Sequence, residues 1–173
     1  WIAAAELEIA GVQRFCGQVE QSLALALRCS ETFGHLQLPV EQAQAHLVAA
    51  RAALRLERTE QAGELARLAL AAGQAMDIAS RTFQAFHLVG RSATQAGRQA
   101  EALESYGMAV EHLERLRGRL MVEFRADFLE DKTAVYEDTV LLCVAQVEGH
   151  AFIPRRDRQR TSRSDGIGTL VSS

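Results

Sequence analysis

The sequence predicts an all-α protein made of antiparallel helix hairpins that repeat along the chain. Three observations carry this. Hydrophobic residues make up 48% of the 173, yet only 6% are aromatic and there are two prolines. Such a chain packs Ala and Leu between helices and lacks the β-branched, turn-rich makeup of a sheet protein. Between Phe83 and Arg117, apolar and small residues recur at steps of three and four: Phe86, Val89, Gly90 and Ala93, then Ala102, Leu103, Tyr106, Ala109 and Val110. That spacing puts each set on one face of a helix. The pattern also returns at a period of 40. The positions 40 residues before Gly90, Gly97, Ala102, Tyr106 and Ala109 hold Ala50, Glu57, Ala62, Ala66 and Ala69, and those a further 40 back hold Ala10, Gly17, Ser22, Ala26 and Cys29.

The hairpin at 83–117 is the template. Gly97 suits a left-handed turn at the end of its first helix, where a Cβ is costly. Gly90 and Ala102 lack bulk, so two backbones can approach, and Tyr106 fills the gap that remains. A hairpin of this kind keeps one apolar face unburied and needs a neighbouring hairpin to cover it. In chain order, a first helix is expected from about Ile2 to Arg14 with Leu7, Ile9 and Ala10 inward. A second runs from about Gln18 to Phe33, with Leu23, Ala26, Leu27 and Cys29 on its face and Gly34 as its stop. Pro39 opens the third, where its missing N–H is harmless, and this helix reaches about Leu56. Thr59 is expected as the N-cap of a fourth helix ending near Met76. Asp77 is expected to cap a fifth that ends at Gly97, and the sixth reaches about Gly118. Short loops make neighbours antiparallel. Met121 to Gln146 breaks the period and reads as one long seventh helix. Phe124, Phe128, Val135, Tyr136, Leu142 and Cys143 form its apolar stripe, with Glu123, Glu130, Asp131, Glu137 and Asp138 opposite. The helical domain is thus 1–148, with repeats at about 3–38, 43–76 and 83–116 and then the long helix 121–147; 149–173 reads as a disordered basic tail.

The slots filled by Phe86, Val89, Gly90, Ala102, Tyr106 and Ala109 resemble a tetratricopeptide repeat, with Ala93 standing where that family usually has Tyr. The resemblance implies a tetratricopeptide-type α-solenoid of about seven helices. The family's usual period is 34, so each unit here carries six extra residues, about one and a half helical turns. A second resemblance covers most of residues 40–147. Leu116-Arg117, Arg125, Phe128, Asp131-Lys132 and Val135-Tyr136-Glu137 look like the helix that follows the repeats in bacterial CHAT proteins, whose repeats precede a caspase-like peptidase domain. That peptidase domain is absent from this chain, so no catalytic residue carries over. The chain opens at Trp1 in mid-pattern, which points to a segment of a longer protein with further repeats upstream.

Function follows as expectation. The fold implied by the resemblance lines a concave groove with the first helix of each hairpin. That places Gln44, Leu47, Arg51 and Arg55 there from one copy, and Gln84, His87, Arg91 and Gln95 from the next. Gln44/Gln84 and Arg51/Arg91 are equivalent at the 40-residue step, and stacked arginines suit the carboxylates of a bound protein or peptide. The expected role is a scaffold for protein–protein interaction, with self-association through exposed repeat ends. The alternative is an effector-sensing repeat domain of a bacterial signal-responsive transcription regulator. A free-standing enzyme is a third class, and the sequence speaks against it. No His, Cys or carboxylate cluster has metal-motif spacing, the carboxylate pairs Glu130/Asp131 and Glu137/Asp138 read as a solvated face, and there is no phosphate-binding glycine loop or nucleophile elbow. No cofactor or metal is expected. Residues 1–153 hold 14 basic and 20 acidic residues, while the last twenty hold five arginines and two aspartates. The basic tail lacks interleaved aromatics and follows an acidic body, so nucleic acid is not the expected partner. The three cysteines have no metal-like spacing, and Cys29 and Cys143 fall in core slots. With no apolar run near eighteen residues, a cytoplasmic setting and no membrane association are expected.

Overall fold

The structure, a computed structural model, describes residues 1–119 and 126–148. They form seven helices and, among the described residues, no strand: α1 (Ile2–Phe15), α2 (Val19–His35), α3 (Pro39–Arg55), α4 (Thr59–Ala75), α5 (Ala79–Gln95), α6 (Gln99–Arg119) and α7 (Ala126–Glu148). No helix among them is long and apolar enough to cross a membrane. The expected tail at 149–173 and the start of the seventh helix at 121–125 lie outside the described residues.

One turn geometry is used five times. The middle residue of each link from α1 to α6 is left-handed: Gly17, Gln37, Glu57, Asp77 and Gly97, with φ between 50° and 84°. The N–H groups of Gln18, Leu38, Arg58, Ile78 and Arg98 donate to the carbonyls of Gln13, Phe33, Ala53, Gly73 and Ala93 at 2.8–3.0 Å. This six-to-one closure satisfies carbonyls that the helix end leaves unpaired. The carbonyls of the same five residues accept the first bond of the next helix, from Ser22, Gln42, Ala62, Thr82 and Ala102. One residue therefore ends one helix and begins the next. The turn thus recurs every 20 residues, half the period visible in the side chains.

That geometry corrects three expected helix ends. α2 runs through Gly34 to His35 and turns at Gln37. Gly34 instead faces the Gln42 side chain, whose Nε2 would lie 2.7 Å from a Cβ there. Thr59 is the first helical residue of α4, behind Arg58 as N-cap. Asp77 occupies the left-handed turn position, and Ile78 is the N-cap of α5. None of the N-caps of α2 to α5 makes a side-chain cap bond, because the backbone closure already sets the chain's entry.

Each helix packs on the one before and the one after, and α3 also meets α1 and α5. Paired residues run in opposite directions along α5 and α6. The Phe86 ring stacks on His112 at 5.5 Å, and nearer the turn Gly90 lies under Tyr106. A Cβ on Gly90 would fall 2.6 Å from Cδ1 and Cε1 of Tyr106, so the aromatic ring fits because that Cβ is missing. The main core joins α1 to α5 through Leu7, Ala10, Leu23, Ala26 and Phe33, the alanines of α3, and Ala66 and Ala69 of α4. Ile9, expected inward, is 51% exposed, because α1 has no helix against that side.

α7 closes the other end with two anchors. Val135 joins Phe83, Ala109 and Leu113, and Leu142 joins Ala93, Ala102 and Tyr106. Of its expected stripe, Tyr136 and Cys143 are exposed. Phe124 and the Phe128 side chain lie outside the described residues, as do Glu123 and the side chains of Glu130 and Asp131.

Candidate binding face

The eight expected groove residues do not behave alike. Leu47 is fully buried in the main core and lines no groove. Its apolar side chain is taken into the core it shares with Leu54 and Leu88, which a leucine favours over a solvated face. Gln44 and Arg51 are half-buried on α3, and the buried Oε1 of Gln44 accepts no hydrogen bond. Arg51 lies within electrostatic reach of Arg81 on α5. Burial first, then the like charge of Arg51, lower the proton affinity of the Arg81 guanidinium, while Glu41 opposes them. Arg81 was not singled out in the sequence; its signal was its place on the α5 stripe, three residues before Gln84.

Arg55 and Gln95 serve as ties. Nη1 of Arg55 donates to the carbonyl of Arg14, and Nε2 of Gln95 donates to the carbonyl of Leu54 at 3.4 Å. Each reaches back 41 residues to the last turn of the preceding odd-numbered helix. The two contacts are equivalent by the 40-residue step, and they hold α1, α3 and α5 side by side.

His87 and Arg91 meet a partner from within the chain. Nε2 of His87 hydrogen-bonds Oδ2 of Asp138 at 2.9 Å, and Nε of Arg91 lies 3.8 Å from the same oxygen. The His87 ring sits 5.8 Å from that of Tyr106, whose hydroxyl is 3.3 Å from Oγ1 of Thr94. Asp138 is only 6% exposed, so its position on a solvated face is corrected. A buried carboxylate is costly unless it is paired, and here α5 supplies the pairing. The missed signal was spacing: Val135, Asp138 and Leu142 stand at i, i+3 and i+7, one inward face. Burial, reinforced by the Asp138 charge, holds the Tyr106 hydroxyl well above its ordinary range.

Gln84 lies half-buried in the same row as His87 and Arg91. The face is therefore polar and rich in arginine, with Arg51 and Arg81 toward α3 and Arg91 engaged by α7, on a body that is acidic overall. The carboxylate seen held on this face is the chain's own Asp138. The face lacks the shape of a metal site, since no group of three His, Cys, Asp or Glu side chains converges among the described residues. No protein-family model, curated protein or solved structure matches the chain.

Proposed function

We propose that this chain is a protein-interaction module: a tetratricopeptide-type α-solenoid, the repeat region of a bacterial CHAT-type protein, taking an acidic peptide along the face of α3 and α5. Asp138 carries the reading. Its carboxylate lies against His87 and Arg91, so α5 already holds one acidic side chain by charge-assisted contacts. Arg51, the equivalent of Arg91 at the 40-residue step, stands with Arg81 on the neighbouring stretch of the same face. The repeated left-handed turns support the solenoid reading, because equal links stack equal hairpins.

The test is fluorescence anisotropy of the full chain with a labelled glutamate-rich peptide and its glutamine counterpart. The acidic peptide is expected to bind, the glutamine peptide to bind weakly, and Arg51→Glu to weaken acidic binding by about tenfold or more, the value of one charge-assisted hydrogen bond. Equal binding of both peptides, or no effect of Arg51→Glu, overturns the reading.

A further inference from the structure

The far end of the arginine row is closed. The side chains of His87 and Arg91 are each 13% exposed, and the group they face is the Asp138 carboxylate, itself 8% exposed. Arg51, one repeat earlier, is half-buried. Along α7, Val135 clusters with Phe83 and Leu142 with Ala93, so this helix runs beside α5 in the same direction and lays Asp138 between its two anchors. An acidic peptide lying along α3 and α5 therefore reaches Arg51 but meets α7 before Arg91.

α7 is lightly held. Of its described side chains, Thr133 to Ala145, three are buried: Val135, Asp138 and Leu142. α5 buries eight. Tyr136, Val140 and Val144 stay exposed, with the Tyr136 hydroxyl donating to Glu114 of α6 at the rim. One of the three inward groups is thus a carboxylate, which keeps its buried place only through His87 and Arg91. That grip is uneven. Nε2 of His87 and Nε of Arg91 address the same oxygen, at 2.9 and 3.8 Å, whereas a full arginine–carboxylate hydrogen bond is about 2.7–2.9 Å. Elements with few buried apolar contacts are the ones that open locally.

We propose that α7 is an internal competitor: Asp138 occupies the His87–Arg91 subsite that a second carboxylate of the acidic peptide takes, so α7 docking and full binding exclude one another. The inference rests on the acidic-peptide reading of α3 and α5. The probe is the labelled glutamate-rich peptide, titrated by anisotropy into the full chain, Asp138→Asn and Leu142→Ala. If α7 is undocked in about one molecule in ten, freeing it tightens the apparent affinity about tenfold. Asp138→Asn is expected to show that gain. Leu142→Ala, which loosens α7 without altering its charge, is expected to bind more tightly than the unaltered chain as well. Saturating the unaltered chain with the glutamate peptide is expected to speed amide exchange over residues 133–145, and the glutamine peptide to leave it unchanged. A carboxylate that only ties helices together would instead give equal or weaker binding on removal. Equal affinities for the three chains overturn the proposal, as does a gain confined to Asp138→Asn, which is a change of net charge alone. So does exchange in α7 that is unchanged or slowed at saturation. If Arg51→Glu still weakens binding in those cases, the α3 and α5 site stands without its competitor. If none of the three chains binds the glutamate peptide, the site and the competitor fall together.

Discussion

Replacing Gly90 by alanine is expected to destabilise this protein, against the usual trend inside a helix. Alanine is favoured over glycine at a helical position by about 1 kcal/mol. At Gly90 the added methyl would sit 2.6 Å from two ring carbons of Tyr106. The ring has no room to retreat: Tyr106 is fully buried in a cluster with Ala93, Ala102 and Leu142. Overpacking of this kind costs about 1–3 kcal/mol, which leaves a net loss of about 1 kcal/mol and a fall in Tm of about 2–4 °C. Gly107 in α6 is the control, since nothing lies within 4 Å of a Cβ there; Gly107→Ala is expected to stabilise by up to about 1 kcal/mol. One repeat earlier the pair is Ala50 and Ala66, so Tyr106→Ala should remove the clash. A double-mutant cycle over Gly90→Ala and Tyr106→Ala is then expected to show a favourable coupling of about 1–3 kcal/mol. Urea unfolding followed by circular dichroism measures each corner. A Gly90→Ala protein as stable as Gly107→Ala, or a cycle without coupling, refutes the reasoning.

Leu47→Ala is expected to lose about 2–5 kcal/mol, as for a filled core site, whereas Arg51→Ala loses under about 1 kcal/mol; near-equal losses would return Leu47 to the surface. Glu57→Gly is expected to gain up to about 1 kcal/mol by relieving a left-handed residue, and Gly97→Ala to lose a similar amount; thermal unfolding tells whether the turns behave alike. Asp138→Ala is expected to cost about 1–3 kcal/mol and to speed amide exchange in α7, and unchanged exchange would show that the His87 contact does not hold that helix. Burial holds the His46 imidazole below its ordinary 6.5, so the unfolded chain takes up a proton that the folded one resists. Stability is then full above pH 6.5 and falls as the pH drops below it, and His46→Gln is expected to flatten that slope in unfolding curves taken from pH 7 downward.

Much of the fold could be read from spacing alone. Small residues at the 40-residue step mark where helices touch, because close approach needs a missing side chain whatever surrounds it. Turn positions were harder. Gly17 and Gly97 announce a left-handed residue, but Gln37, Glu57 and Asp77 adopt the same conformation without glycine's freedom. They do so because the backbone closure around them is common to all five links, and the side chain only has to tolerate it. The candidate face was readable in part. Arg51 and Arg91 follow the period, but nothing local marks Asp138 as their kind of ligand, since it lies 51 residues from His87.

The amino-acid order by itself determined the all-helical class and most of the contact stripes of α2 to α6, which depend on residues within a turn or two of one another. The assembled chain decided which polar groups are spoken for. Arg55 and Gln95 became ties between helices, Leu47 turned inward, and Asp138 reached His87 across the packed pair α5 and α6. It also left Ile2, Ile9 and Val12 of α1 exposed. A side chain's exposure depends on what the rest of the chain lays against it, and no local pattern contains that information.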